Sequence, residues 1–245
     1  MGTGRMTKHE IKKDEFAGFW LRAVSYLKQH PEKLNLALGI AVFSLIVIVV
    51  AYLLINSYVR NGHSTYANAM KFYQRGKLYS EKLSTSDIIQ ARELFKTVTS
   101  RYSLISEAPT ALYYYAASSY LSGDLKLAEE KYLRFIKKNR GHMLHPEAVY
   151  DLGILYEDKK DYAKALAQYE KLEKDSPDFY GMAFVKLAIA RCYETTGSVQ
   201  KAVDKYRAIA KEYEEPYFKN IAESRIRWIE EGTLSSPPEK TEKTG

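Results

Sequence analysis

Residues 146–177 read PEAVYDLGILYEDKKDYAKALAQYEKLEKDSP, and the order of small, aromatic and polar residues in this stretch decides the fold of the chain. The first half contains Leu152, Gly153 and Tyr156, and the polar run EDKKD follows them directly. The second half carries an alanine and a tyrosine four positions apart and closes at Pro177. Apolar residues at such spacings predict helices, and the polar run between them predicts a turn. The stretch therefore predicts a helical hairpin.

The alanine–aromatic pair of this hairpin recurs along the chain. An alanine followed four positions later by Phe or Tyr occurs at four places, and consecutive pairs are 37 residues apart. The pairs are Ala91 and Phe95, Ala128 and Tyr132, Ala165 and Tyr169, and Ala202 and Tyr206. A fixed period of this length indicates repeated units that stack on one another. We expect an all-α solenoid of about four hairpins, in which the first unit is irregular and the second has a turn one residue shorter.

The residue types fit close packing of these hairpins. One hairpin cannot bury its apolar face alone, so neighbouring hairpins must stack. Small residues such as Gly153 and the repeated alanines let two helices approach, and large ones such as Tyr156 and Tyr169 fill the space between hairpins. We therefore expect Ala128 and Ala165 to be buried and the repeated tyrosines to belong mostly to the core rather than to a ligand site.

The spacing of these residues resembles the tetratricopeptide repeat, whose motif runs Leu-Gly, Tyr, Ala, aromatic, Pro. With one closing helix, we expect nine helices after an N-terminal apolar segment. They run near 64–82, 87–101, 108–121, 124–138, 146–158, 161–174, 179–195, 198–212 and 216–231. Apolar residues of the last helix are expected to cover the open end of the solenoid. These are Phe218, Ile221, Ile226, Trp228 and Ile229.

The apolar segment before the repeats has the length of a membrane-spanning helix. Residues 34–55 read LNLALGIAVFSLIVIVVAYLLI, which is 22 residues without a charge. At about 1.5 Å per residue, such a helix crosses a hydrocarbon core of roughly 30 Å. A buried core helix and a cleaved signal peptide are the alternatives. We favour an uncleaved anchor, because the run exceeds the roughly 7–15 residues of a signal peptide and no small-residue cleavage site follows it.

The charges around this segment bear on its orientation. Residues 1–33 contain seven Lys and Arg residues, which favours a cytoplasmic N-terminus and a repeat domain on the other side of the membrane. Within twenty residues of each end, however, three basic residues stand on either side, so the reverse orientation stays open.

Four segments follow from this organisation. Residues 1–33 are a basic cytoplasmic leader, 34–55 the anchor, 56–231 the repeat domain and 232–245 a polar, disordered tail. The leader places several apolar residues near helical spacing, namely Phe16, Phe19, Trp20, Ala23 and Leu27. Either a short amphipathic helix on the membrane surface or an ordinary juxtamembrane helix has this pattern.

Composition and motifs argue against catalysis and nucleic-acid binding. The net charge is +7, but the chain after residue 33 carries 30 basic and 26 acidic residues and no basic stripe. No phosphate-binding glycine loop or nucleophile elbow is present. His142 and His145 have HxxH spacing, but we expect a loop there and no metal site. Cys192, the only cysteine, is expected to be a packing residue. We predict a protein that is not an enzyme and needs no cofactor, metal or small-molecule substrate.

The arrangement of basic leader, single anchor and repeats is similar to the bacterial inner-membrane tetratricopeptide family that includes the ancillary subunit of the Sec translocon. The resemblance implies a periplasmic repeat domain, contact with translocon subunits, periplasmic chaperones or exported clients, and a role in handling exported proteins. A scaffold for cell-envelope assembly or division is an alternative. A cytoplasm-facing adaptor is another, if the orientation is reversed.

The first helix of each hairpin is expected to line the concave, protein-binding side of the solenoid. The residues placed there are Tyr114, Ser118, Tyr150, Ile154, Glu157, Leu187, Arg191 and Glu194. Repeats that grip acidic chain ends use basic and amide side chains at these positions, and only Arg191 fits. The surface therefore favours an extended or helical segment with apolar anchors. Packing between neighbouring first helices is an equally good account of Tyr114 and Tyr150.

Overall fold

The structure is a computed structural model that describes residue 18, residues 21–26, residue 28, and residues 31–78 and 85–234. Within these ranges, the part from residue 31 onward consists of α-helices joined by short turns. The helices are α1 (Pro31–Leu78), α2 (Thr85–Arg101), α3 (Ala108–Leu121), α4 (Leu125–Lys138), α5 (His145–Asp158), α6 (Tyr162–Asp175), α7 (Met182–Thr195), α8 (Val199–Glu212) and α9 (Pro216–Leu234). The chain forms two compact units, Met1–Arg60 and Asn61–Gly245.

Helix α1 joins two segments that the sequence separates. It runs for 48 residues without a break, so the prediction of a separate helix over 64–82 is wrong, and the helix continues past residue 55, where the anchor is predicted to end. Gly62 lies in the intervening stretch but does not end a helix. A β-carbon there would come within 2.9 Å of a side-chain carbon of Ile105, so this glycine permits close packing.

The first part of α1 is long and apolar enough to cross a membrane. The candidate span, Asn35–Lys77, has a mean hydropathy of 3.0 over its most apolar window, and none of that window is buried. The exposure of this most apolar stretch distinguishes it from a buried core helix.

The hairpins repeat at the level of the backbone. Three residues join α3 to α4, α5 to α6 and α7 to α8, so the shorter turn predicted for the second unit is wrong. Each turn has one residue with positive φ, and these residues are 37 positions apart: Gly123 (84°), Lys160 (59°) and Gly197 (77°). In the first two turns the next residue is an aspartate whose side chain caps the second helix, namely Asp124 and Asp161.

The repeated alanine–aromatic pairs form the core, as predicted. All four alanines are fully buried, and the four aromatic rings are at most 2% exposed. Gly153 faces the ring of Tyr169 so closely that a β-carbon would lie 2.2 Å from Cε1. The close approach expected at Ala128, Ala165 and Gly153 is therefore confirmed.

Helix α9 closes the described part of the solenoid. Ile229 is buried, and Phe218, Ile221 and Ile226 pack against the core of the fourth hairpin. Trp228 is exposed, so its predicted covering role is wrong. The helix continues to Leu234, beyond the predicted start of the tail. The rest of the tail lies outside the described residues, as do Phe16, Phe19, Trp20 and Leu27 of the predicted leader helix.

Candidate functional site

The candidate site lies on the inner face, which we define as the surface formed by α3, α5, α7 and α9. A groove of about 330 Å³ opens on this face between the third hairpin and α9. Its lining residues are Tyr150, Phe184, Leu187, Arg191, Glu194, Tyr206, Tyr217, Ile221 and Arg225. Four of the eight sequence-predicted residues are brought together here: Tyr150, Leu187, Arg191 and Glu194.

Sequence reasoning missed the residues that α9 contributes to the groove. Only three residues join α8 to α9, whereas six join α6 to α7. The period therefore falls from 37 to 34 at this point, and Ile221 and Arg225 take the positions of Leu187 and Arg191. A search for the first-helix pattern at a 34-residue offset would have found them.

Glu157 is held by two neighbouring helices. Arg191 of α7 donates from Nη2 to Oε1 over 2.7 Å and from Nε to Oε2 over 2.8 Å. Tyr169 of α6 donates its hydroxyl proton to Oε1 over 2.6 Å. The hydrogen bonds to Glu157 raise the pKa of Arg191, and burial together with Glu157 raises the pKa of Tyr169. This carboxylate is therefore fully paired in the absence of a partner.

The same arrangement recurs in the next hairpin, with the glutamate and the tyrosine 37 residues later and the arginine 34 residues later. Glu194 accepts the hydroxyl proton of Tyr206 over 3.0 Å and pairs with Arg225, whose Nε lies 3.2 Å from Oε2. The side chains of Glu157 and Glu194 are each only 13% exposed. Two charge pairs thus flank the groove in fixed positions, while its walls are apolar and aromatic.

Three of the remaining predicted residues lie apart from the groove. Tyr114 stacks on Phe95 with ring centroids 5.5 Å apart and meets the edge of Tyr73 at 5.0 Å. Ser118 is fully buried, and its hydroxyl has no hydrogen-bond partner among the described residues. Ile154 lines a smaller cavity nearer the start of the solenoid. Tyr114 and Ser118 therefore sit where they pack helices together.

Tyr150 both packs between helices and lines the groove, which are the two roles that the sequence left open. Its ring lies 5.7 Å from that of Tyr169 and 6.5 Å from that of Phe179, and it also lines the groove. It is half-buried, so the ring supports the hairpin with one side and presents the other to the groove.

The residues considered for other chemistry have structural contacts. The ring of His142 accepts from the backbone N–H of Leu144 at 3.1 Å and lies 3.2 Å from the hydroxyl of Thr110. Cys192 is fully buried, and burial raises the pKa of its thiol to about 12. A thiol of this kind is a poor nucleophile at neutral pH, so the packing role predicted for Cys192 is confirmed.

Known structures share this architecture. A tetratricopeptide repeat protein from Parabacteroides merdae is similar with a TM-score of 0.55 at 14% identity over 69% of this chain and 61% of its own. The chain thus spans less than two thirds of that protein. Nearly identical TPR-like repeats from Podosopora anserina give a TM-score of 0.50 at 15% identity, over 71% of this chain and 97% of theirs. These likenesses concern the fold alone.

Sequence comparison identifies the repeats themselves. No curated protein sequence is significantly similar to the chain. The model of the tetratricopeptide repeat, however, matches residues 81–142, 134–179 and 150–215. Together these matches run from residue 81 to residue 215, which is more than half of the 245 residues. The chain therefore belongs to the tetratricopeptide repeat family, a helical scaffold typical of protein–protein interaction.

Proposed function

We propose that this protein is a membrane-anchored protein-binding module whose groove receives an apolar segment of a partner protein. The observation that carries the proposal is the exposure of large apolar side chains on the groove wall: Phe184 is 45% exposed and Tyr217 is 59% exposed. Such residues remain in contact with water unless another molecule covers them.

The form of the groove suits a short chain segment rather than a folded domain. Its volume of about 330 Å³ is enough for a few side chains. The apolar wall supplies anchoring contacts, and the paired Arg191 and Arg225 lie beside it. Because their charges are already satisfied, they favour polar backbone contacts over capture of a free carboxylate.

Two substitutions on the groove wall test this function. Phe184→Ser with Tyr217→Ser should reduce recovery of the partner when the full-length protein is purified from gently solubilised membranes. Leu133→Ser is a matched control, because Leu133 lies on α4 away from the groove and has the same 45% exposure as Phe184. Unchanged recovery by the folded double variant would place the binding site elsewhere.

Tyr150 and Arg191 are less suitable positions for this test. Arg191→Ala would leave Glu157 without its cation, and Tyr150→Ala would remove a ring that packs on Tyr169. A loss of binding in these variants would therefore combine a contact effect with a stability effect.

The proposed location is the bacterial inner membrane, with a single span, a cytoplasmic N-terminus and a periplasmic repeat domain. The apolar part of α1, the basic leader and the family resemblance of the whole arrangement support it. On this view the protein assists the Sec translocon or periplasmic chaperones in handling exported proteins. Protease added to spheroplasts should digest residues 56–245 and spare the leader, and a protected repeat domain would reverse the orientation.

The identity of the co-purifying proteins tests the role. Translocon subunits or chaperones would support the export role, whereas cell-wall or division proteins would replace it with a scaffold function.

A further inference from the structure

A second cavity lies on the inner face nearer the start of the solenoid. It has a volume of about 130 Å³ and lies between α1, α3, α4 and α5. Its lining residues are Tyr73, Lys77, Tyr113, Ala117, Tyr120, Leu121, Tyr132, Asp151 and Ile154. We call it the tyrosine cavity, because four tyrosine side chains line it together with one carboxylate.

The carboxylate of Asp151 is held in place by two of these tyrosines. Tyr113 donates its hydroxyl proton to Oδ2 over 2.8 Å, and Tyr132 donates to the same oxygen over 3.2 Å. Across the described residues, no basic group lies within 4.0 Å of this carboxylate. Burial raises the pKa of Asp151, and the hydrogen bonds from Tyr113 and Tyr132 and the charge of Lys77 oppose this increase only in part.

The charge of Lys77 acts on Asp151, but the two residues form no ion pair among the described residues. Lys77 is the one basic residue in the lining; it is exposed, and its Nζ lies 5.9 Å from the ring centroid of Tyr73. Asp158 accepts the hydroxyl proton of Tyr120 over 2.5 Å, and Glu147 adds negative charge one turn before Asp151. The region is therefore rich in carboxylates and aromatic rings.

We infer that the tyrosine cavity binds the lysine or arginine side chain of a protein segment lying along the inner face. Asp151 supplies the anion, and the tyrosine rings supply the walls. A cation close to aromatic faces is attracted by their electrons, and a charged hydrogen bond to a carboxylate adds to this attraction. The inference rests on the proposed function, because the groove and the tyrosine cavity would hold different side chains of the same segment.

The size of the cavity fits this occupant. A water molecule takes up about 30 Å³ of liquid, so a cavity of about 130 Å³ accepts the end of one side chain and little more. An acidic or phosphorylated side chain would meet Asp151 and two further carboxylates, which would repel it. Lys77 is the competing cation already present, and its removal should favour a basic ligand.

Two synthetic peptides that differ at one position test the inference. Both have leucine at alternate positions; one carries a central lysine and the other a central norleucine, which has a similar length and no charge. Fluorescence anisotropy with the full-length protein in nanodiscs measures their affinities. We expect the lysine peptide to bind about ten-fold more tightly, a ratio that corresponds to about 1.4 kcal/mol.

Two variants assign the preference to the cavity. Asp151→Asn should abolish the preference for lysine and leave the norleucine affinity unchanged, because it keeps the side-chain shape and removes the charge. Lys77 is exposed, and Lys77→Gln removes its competing charge, so this variant should bind the lysine peptide more tightly.

Four results would overturn the inference. Equal binding of the two peptides by the wild type, or a lysine preference that survives Asp151→Asn, would exclude the basic side chain while leaving the groove function intact. Equal weakening of both peptides by Asp151→Asn would show that Asp151 only supports the structure. Failure of both peptides to bind would exclude the cavity as a subsite, and the groove variants would then decide the general function separately.

Discussion

The two ends of the inner face differ in the partners that their largely buried carboxylates have. In the part formed by α5, α7 and α9, Glu157 and Glu194 each receive an arginine and a tyrosine hydroxyl. In the part formed by α3 and α5, Asp151 receives two tyrosine hydroxyls and, among the residues that the structure describes, no arginine. The 37-residue period is the same from α3 through α5 to α7, so along these helices the difference arises from side chains. The first part pairs its carboxylates with arginines of the chain, whereas the basic residue beside Asp151, Lys77, forms no ion pair with it among the described residues.

The repeat register explains how the difference arises. The position 37 residues before Glu157 is Tyr120, and the position 37 residues before Arg191 is Ile154. The equivalent positions on α3 and α5 therefore carry neither member of the ion pair. Tyr132, which corresponds to Tyr169, turns its hydroxyl to Asp151 instead. Stacked repeats preserve the backbone and the core, and this leaves the inner face free to vary from one unit to the next.

The largest expected effect tests whether the same repeat register extends through both parts. Ala128 and Ala165 are both fully buried, so Ala128→Glu and Ala165→Glu should each destabilise the fold by about 3 kcal/mol or more, because each buries an unpaired charge. Thermal unfolding followed by circular dichroism measures this.

The control for this test is Ala167→Glu, which lies on the exposed side of α6 and should change stability little. If only one of the two buried substitutions is destabilising, the register does not extend through both parts, and the comparison between them fails.

The second prediction concerns the ion pair between Arg191 and Glu157. Arg191→Ala leaves the largely buried Glu157 with only the hydroxyl of Tyr169, and should cost about 1–3 kcal/mol of stability. Glu157→Gln in the same chain should recover part of the loss, because it removes the uncompensated charge.

Arg207→Ala is the matched control for that loss. Its partner Glu230 is 2.9 Å away, and both side chains are at least 50% exposed. Exposed pairs of this kind contribute about 0–1 kcal/mol. Equal losses in the two arginine variants would show that Glu157 is not a buried anion.

Much of the fold could be predicted from the sequence, and the reason is the regular period. The alanines, the tyrosines and Gly153 recur because helix contacts require small residues beside large ones. The continuous helix α1 could not be predicted, because a glycine ends some helices and packs inside others. Gly62 packs against Ile105, a neighbour 43 positions away that local sequence does not indicate.

The candidate site could be predicted only in part. The first-helix pattern placed Leu187 and Arg191 on the groove, where a fixed period applies. It did not supply Tyr217 or Arg225, because a shorter connection changes the offset before α9. The pattern also could not distinguish Tyr114, which packs, from Tyr150, which lines the groove.

A smaller effect concerns Asp151, whose carboxylate forms no ion pair among the described residues. Because the folded pKa of Asp151 is raised, its ionisation opposes folding. This cost is absent below its ordinary pKa of 3.8 and grows as the pH rises towards the raised value. Asp151→Asn should therefore stabilise the protein at neutral pH by at most about 1 kcal/mol, the scale of one hydrogen bond. The gain should vanish in acid.

Asp161→Asn is a control whose effect on stability should have the opposite sign. Its hydrogen bond from Lys164 lowers the pKa of Asp161, so its charge contributes stability above pH 3.8 that is lost as the pH falls. Melting curves recorded across this pH range measure both variants. A stability loss for Asp151→Asn at neutral pH would remove the contrast between the two parts.

The smallest effect concerns the turn that joins α5 to α6. Lys160 has a φ of 59°, whereas its equivalents in the neighbouring turns, Gly123 and Gly197, are glycines. A residue with a β-carbon pays roughly 1–2 kcal/mol in this conformation. Glycine removes that cost but loses about 0.4–1 kcal/mol through the greater freedom of the unfolded chain. Lys160→Gly should therefore stabilise the protein by about 0.5–1 kcal/mol, and Gly197→Ala should destabilise it.

Because Lys160 lines neither the groove nor the tyrosine cavity, Lys160→Gly should leave binding by both parts of the inner face unchanged. A loss of stability, measured by urea unfolding, would mean that Lys160 contributes side-chain contacts that the other two turns lack.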